Sequence, residues 1–426
     1  MRLRAPAAAL LALGVVASWP MPGAAETGGE PTFEIGLAVD ESELRIEFAG
    51  RQPLAWGEGD RAGSETTAGP IVVRVSGAQA IVTPQDRARA VPLTVLAAGD
   101  TLWVGGARLA QGESGALQWN GKHWRGRFKL FLNPRGKLTL VSRLPLERYL
   151  LGVVPGEIGA LADSLLEAGR AQAIAARSYT LFYRGRRAAE GFDLYGTVED
   201  QVYGGLESER PLASRCVEST RGRVAMSEGE PIRANYSSTC GGITAEAWEA
   251  WPTGGFRYLV SHPDGEAGSD FCAASPQYRW REEWSERELA ANLARQAPAF
   301  GVPVPAAGVG EIVDVRVAAR SRSGRVWRLQ VQTTTGTIEI PSFSLRQVLR
   351  RGGNAAAILR SNLFKIGVRR DPDTRRALAI VATGGGSGHG VGLCQTGALA
   401  MARRGARSGE ILSHYYVGVE LKTLYE

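Results

Sequence analysis

The residues from Leu144 to Tyr183, LPLERYLLGVVPGEIGALADSLLEAGRAQAIAARSYTLFY, constrain this chain more than any other stretch. Within them the apolar run YLLGVVP ends at Pro155 and Gly156, which interrupt regular structure, and the next residue is a carboxylate, Glu157. The run reads as a strand-like segment, and a helix is expected over about Asp163–Tyr183, with Glu157 at the break between them. Ser164 and Glu167 have the spacing of a capping box, and Gly185 marks a C-terminal stop. Ala168, Gly169, Ala171, Ala173, Ala175 and Ala176 give this helix a small-residue interior that lets neighbours approach closely, so it should be buried. Gln172 and Arg177 then need polar partners, which implies an internal network behind Glu157. A carboxyl flanked by Val153, Val154, Ile158 and Leu161 is partly desolvated, and its pKa rises toward the range of a general acid. The plainer role for Glu157 is a loop glutamate capping the next helix.

At 426 residues and 44% hydrophobic composition the chain has material for two or three domains. Its 54 glycines and 21 prolines favour strand-rich structure over a helical bundle. The formal charge is +7, but the basic residues are mostly arginines scattered among acids, with no sustained block, so no nucleic-acid partner is expected. Arg2 and Arg4 precede the apolar run AALLALGVVA, and Pro20 and Pro22 lead to Gly23-Ala24-Ala25. That is the pattern of a secretory signal peptide over residues 1–25, cut after Ala25. The protein is therefore expected outside the cytoplasm, in the periplasm or cell envelope, touching membrane only through that leader if it stays uncleaved. In an oxidising compartment Cys216, Cys240, Cys272 and Cys394 can pair in three complete ways, and none forms a CxxC. Cys240 and Cys272 with His262 offer three ligands to a metal. A Cys240–Cys272 disulfide or free buried thiols is the favoured reading, so no metal and no cofactor is assigned.

Residues 30–143 form an N-terminal β-rich region of short alternating segments such as FEIGLAV, ELRIEFA and PIVVRV. A hairpin is expected to turn at Asn133-Pro134-Arg135-Gly136. In DLYGTVEDQVYGG, aromatic rings and amides including Gln201 and Tyr203 have the make-up of a sugar-binding surface. NYSSTCGGITAEAWEAW lines up the hydroxyls of Ser237, Ser238 and Thr239 ahead of a Gly241-Gly242 turn. No G-x-S-x-G elbow accompanies them, so a serine nucleophile is disfavoured. Residues 282–349 read as an inserted α/β subdomain, with a helix at ERELAANLARQA, a meander around Ser323-Gly324 and a short helix at FSLRQVLRRG. In GGGSGHGVGLCQTGALAMARRG, six glycines among residues 384–392 expose His389 and Gln395, and no Gly-Lys-Ser/Thr ending makes it a nucleotide loop.

LERYLLGVVPGEI with RAQAIAARSY, then QVYGG, NYSSTCGGITAEA and GHGVGLCQTGALAMA in the same order, resemble the signature of the SpoIID/LytB family, the stage II sporulation protein D and amidase-enhancer group. The resemblance spans residues 144–426, and it implies an α+β, strand-rich catalytic domain with one buried helix and the inserted subdomain. It implies lytic transglycosylation of peptidoglycan glycan strands between MurNAc and GlcNAc, with Glu157 as lone acid/base. Gln201, Tyr203, Ser237, Ser238, His389 and Gln395 would then position substrate or hydrogen-bond Glu157. Two alternatives stand beside it. One is a non-catalytic wall-binding protein that activates a partner cell-wall amidase, as the enhancer branch of the family implies. The other is a zinc amidase using Cys240, Cys272 and His262, since some members are described as carrying zinc near the CGG segment. Where members commonly have tryptophan this chain has Thr396, and where they often have serine it has Cys394.

Overall fold

The computed structural model describes residues 29–48, 50–57, 62–86, 92–106 and 117–426, so the leader expected at residues 1–25 lies outside the described residues. The architecture is α+β, as the sequence suggests. Thr32–Glu41 pairs antiparallel with Leu138–Pro145, which pairs in turn with Arg127–Leu132. These strands belong to a seven-stranded sheet, and Glu43–Phe48 and Ile71–Ser76 belong to a separate six-stranded sheet. Alternation sets the packing: along Arg127–Leu132 every second residue, Phe128, Leu130 and Leu132, is buried. The expected hairpin is present. The Asn133 side-chain carbonyl accepts from the Arg135 and Lys137 amides, and Gly136 takes φ +68°.

Among the described residues seven α-helices follow in chain order: α1 Leu146–Ile158, α2 Leu166–Phe182, α3 Pro211–Ser219, α4 Glu286–Ala299, α5 Ser342–Leu349, α6 Gln395–Arg403 and α7 Ser408–Tyr415. The strand-like reading of YLLGVVP is corrected here, because the run is the body of α1. An apolar run buried on all sides carries no period-2 or period-3.6 signature, so its sequence does not separate the two states. Pro155 is accommodated in the last turn, Gly159 N–H donates to the Pro155 carbonyl at 3.1 Å, and Glu157 is the penultimate helical residue.

The helix α2 is buried along its small-residue face as expected, but the capping box does not form. A short 3-10 turn, Asp163–Leu165, precedes it, and Glu167 instead pairs with Arg170 and accepts the Ser408 amide at 2.8 Å. The helices α1 and α2 meet at 98°. No single helix among the described residues is long and apolar enough to cross a membrane.

The internal polar network exists, but it is divided. Arg177, fully buried, forms a two-pronged pair with Glu147 in the first turn of α1, at 2.8 and 2.7 Å. Tyr425 Oη (2.6 Å) and the Gly222 amide also donate to Glu147. Burial alone would raise the Glu147 pKa, but Arg177, Tyr425 and Gly222 together hold it below the usual value. Gln172 faces the other way, toward Gln395 on α6 at 3.4 Å.

One hydrophobic core runs from Phe33 through both sheets, α1 and α2 to Tyr425. A second gathers Trp284, Leu289, Leu329, Ile340, Val348 and Ile380. In this second body α4 is capped by Ser285 Oγ, which accepts the Glu288 amide. The expected meander is Ile312–Arg320, Val326–Thr333 and Gly336–Pro341, with α5 after it. Strands Arg279–Ser285 and Phe364–Arg370 flank Ala377–Gly385, which leads back to the glycine loop.

Because one charge of a buried pair cannot be left alone, Glu147→Gln should cost about 3–5 kcal/mol in urea unfolding at pH 7. Glu147 is ionised above its lowered pKa, so the penalty should shrink as pH falls through that value. A loss below about 1 kcal/mol would contradict this account of the network.

Candidate active site

The last turn of α1, the segment 198–202, Asn235–Tyr236, Glu249–Pro252, the first turns of α5 and Gly388–His389 enclose a cleft of about 540 Å³. Its residues come from both hydrophobic bodies: Glu157, Tyr236 and His389 on one side, Phe343, Arg346 and Ile358 on the other. Ser342, Phe343, Arg346 and Gln347 thus form one wall of the cleft.

Glu157 lines this cleft from the end of α1. Val202 N–H donates to its Oε1 at 2.9 Å, and Gln395 supplies a side-chain hydrogen bond. Burial raises the Glu157 pKa above the usual carboxyl value, and those two hydrogen bonds offset only part of the effect. No cation pairs with it among the described residues. An acid held this way keeps its proton to a higher pH than an exposed glutamate and can deliver it to a neighbouring oxygen.

The glycine loop carries His389 into the same cleft. It passes close to the strand end at Tyr236–Ser237: a Cβ on Gly388, at φ +109°, would lie 2.6 Å from Ser237 Cβ. Burial first, and then Arg346, Arg233 and Arg325, push the His389 pKa down to about 3. The ring is therefore neutral near pH 7. Its Nδ1 accepts the Val391 amide at 3.0 Å, which leaves the other nitrogen as the N–H donor. The Trp251 ring lies 4.8 Å from the imidazole, and the Arg233 guanidinium stacks over Trp251 at 4.5 Å.

The remaining sequence-predicted residues take different places. Gln201 is fully buried behind the cleft: its amide donates to Tyr236 Oη (2.9 Å) and its carbonyl accepts from Thr180 Oγ1 (2.7 Å). Tyr203 is buried too, its ring against Tyr149 and Trp124 at 5.1 and 5.3 Å. Direct sugar contact by either is corrected to support of the wall, because the Gln201 amide is used in buried hydrogen bonds and the Tyr203 ring in buried packing. Ser237 Oγ accepts the Gly390 amide at 3.2 Å and so fixes the glycine loop. Ser238 is exposed away from the cleft lining, and its carbonyl accepts from the Thr396 amide at 3.0 Å. Gln395 bridges Glu157 and Gln172.

Sequence reasoning missed Tyr236, Arg346 and Asn235 as cleft residues. Tyr236 stands one position before the hydroxyl run, and a lone arginine in a short helix carries no motif. Glu249 also reaches the cleft, where it accepts from Ser321 Oγ at 2.6 Å and from Ser323 Oγ of the insert.

All four cysteines are free and buried. The expected Cys240–Cys272 pair is in contact but not bonded, with Sγ atoms 3.7 Å apart. His262 does not join them: its Nδ1 lies 2.9 Å from the Pro263 carbonyl, and its ring packs on His414. Its place beside the sulfurs is taken by Asp264 and Cys394. The zinc-amidase ligand set of Cys240, Cys272 and His262 is therefore not assembled.

Residues 134–226 match the SpoIID family model, described as stage II sporulation protein, and residues 264–392 match one described only as a domain of unknown function. An uncharacterized protein of Brachyspira hyodysenteriae is 29% identical over 71% of this chain and 73% of its own. Stage II sporulation protein D of Bacillus amyloliquefaciens is 28% identical over 66% of this chain and 75% of its own. The amidase enhancer of Bacillus subtilis is 27% identical over 64% of this chain, which spans only 40% of that longer protein. Together with the four ordered motifs around one cleft, these matches support the SpoIID/LytB family for this chain.

Proposed function

We propose that this protein is an extracytoplasmic peptidoglycan lytic transglycosylase with Glu157 as its single acid/base. The observation that carries the reading is a carboxyl with raised pKa, free of any cation, on the wall of a cleft large enough for sugar rings. Ordinary glycoside hydrolysis needs two carboxyl groups at set separations. One suffices when the nucleophile is the sugar's own hydroxyl. Glu157 gives its proton to the bridging oxygen as the bond to the muramoyl C1 breaks. The 6-hydroxyl then attacks C1, and the Glu157 carboxylate takes the hydroxyl proton, which restores the acid and leaves a 1,6-anhydromuramoyl end. Val202 N–H and Gln395 are placed to stabilise the carboxylate formed in between.

Trp251 and the Arg346 guanidinium suit a substrate that has both pyranose faces and carboxylates, as muramoyl peptides do. Among the described residues Arg346 forms no ion pair; its Nε donates to the Leu359 carbonyl at 2.8 Å. The second reading is an enhancer of a cell-wall amidase, favoured by the similarity to the amidase enhancer of Bacillus subtilis. One substitution separates them. Glu157→Gln should abolish release of anhydromuropeptides from purified sacculi, by at least about a hundredfold as for a lost acid catalyst. Unchanged amidase stimulation with no anhydro product from the parent protein would leave the enhancer reading standing.

A stability measurement gives an independent check. The folded chain holds the Glu157 proton more tightly than the unfolded chain, so this group's stabilising contribution is complete at low pH and is lost as pH rises. Glu157→Gln should therefore melt above the parent at pH 7, with the difference fading toward pH 4, as followed by calorimetry. His389 works with the opposite sign. Its lowered pKa means that stability is lost as pH falls from its usual 6.5 toward about 3.

A further inference from the structure

We propose that Arg346 sets the register of the saccharide in the cleft by gripping a carboxylate carried on it. The helix α5 that bears this residue has two faces. Leu345, Val348 and Leu349 are fully buried in the second core, whereas Ser342, Phe343, Arg346 and Gln347 line the cleft. The spacing i, i+1, i+4, i+5 puts those four on one side of the helix. Arg346 Nε donates to the Leu359 carbonyl at 2.8 Å, and the Leu359 amide donates back to the Arg346 carbonyl at 3.0 Å. That reciprocal pair fixes the side chain at its stem. Nη1 and Nη2 have no hydrogen bond or ion pair among the described residues, yet neither is a polar atom sealed from solvent, so both are open to the cleft.

The carboxylates of the cleft are engaged elsewhere. Asp200 is held by Arg186 and Arg187 at 2.7 and 3.2 Å, and Glu249 accepts from Ser321 and Ser323. Glu157 is biased toward its neutral form, and Glu199 is exposed to water. Burial pushes the Arg346 pKa down to about 10 with no carboxylate to offset it, so the side chain keeps its charge near pH 7. Arg233 adds to the same field. It is only 6% exposed and stacks on Trp251 at 4.5 Å. A 3.4 Å hydrogen bond to Thr253 is its one side-chain partner, and it has no ion pair among the described residues. A partly desolvated guanidinium with two free N–H groups is matched by one carboxylate taken in a two-pronged pair.

The identity of that anion rests on the peptidoglycan reading. In such a strand only every second sugar, the muramoyl unit, carries a carboxylate, either on its own lactyl ether or on a stem peptide attached to it. Contact with pyranose faces alone would let the strand slip by one sugar. A grip on the muramoyl carboxylate permits steps of two sugars only, so Glu157 meets one of the two kinds of glycosidic bond and not the other.

The test reads binding rather than cleavage. The full-length Glu157→Gln chain, which leaves strands intact, is titrated calorimetrically with three tetrasaccharides. These are peptide-free GlcNAc–MurNAc repeats, the same repeats bearing stem peptides, and uncharged chitotetraose. At least one charged strand should bind about tenfold more tightly than chitotetraose, as a charge-assisted pair supplies. Which one does so identifies the source of the carboxylate. Adding Arg346→Gln should erase the preference, and adding Arg346→Lys, which keeps the charge but not the fork, should retain part of it. If Arg346→Gln does not fold, methyl esters of the same strands decide, because they remove the charge from the ligand instead. Equal affinity for acid and uncharged strands, no binding of any strand, or a preference that survives Arg346→Gln would overturn the proposal. A carboxylate preference with no anhydro product from the parent chain would sink the transglycosylase reading and leave this one standing.

Discussion

The whole arrangement depends on one buried ion pair. Arg177 on α2 is fully enclosed, and Glu147 opens α1 directly opposite it. Each would be prohibitively costly to bury alone, so the two helices can pack only in the register that joins them. That register sets the sharp angle between α1 and α2, and the angle directs the far end of α1, where Glu157 sits, into the cleft. The same carboxylate receives Tyr425 and Gly222, so two other segments are fastened to the same point. Charge at one end of a thirteen-residue helix thus bears on where Glu157 stands at the other.

Two carboxylates on a single helix show how environment divides roles. Glu147 is met by a cation and two further donors and is held ionised; Glu157 is met by an amide N–H and a carboxamide and is biased toward its neutral form. Burial acts on both in the same direction. What differs is whether anything positive compensates it. The asymmetry also explains why the polar network split in two: Gln172 and Gln395 carry no charge and so can serve Glu157 without lowering its proton affinity as an arginine would.

Much of this was legible in the sequence because it depends on local chemistry. The alternating strands, the hairpin at Asn133–Gly136, the small-residue helix and the glycine loop each carry a pattern that backbone geometry dictates. The helical state of YLLGVVP was not legible, since an apolar run enclosed on every side satisfies either secondary structure. Gln201 and Tyr203 have the composition of a sugar platform, yet the fold turns both inward, and composition does not record which face is solvent. Arg346 and Glu249 meet the cleft only because the inserted body folds back over it, a tertiary event no local window contains. The neighbours of Cys240 were only half foreseen for the same reason: Cys272 is near in sequence, whereas Cys394 lies 154 positions away.

The parallel ladder joining Tyr236–Ser237 to Leu393–Cys394 closes across that same long interval, and an entire second hydrophobic body lies inside the loop. Such pairings are slow to find, because the entropy of closing a long loop must be met before any contact rewards it. If the intervening body folds first, it shortens the effective loop by bringing its own two ends together along the strands Arg279–Ser285 and Ala377–Gly385. On this view the cleft is the last part of the molecule to mature. Under the proposed function, a newly made chain would then be unable to attack glycan until the wall behind the glycine loop is in place.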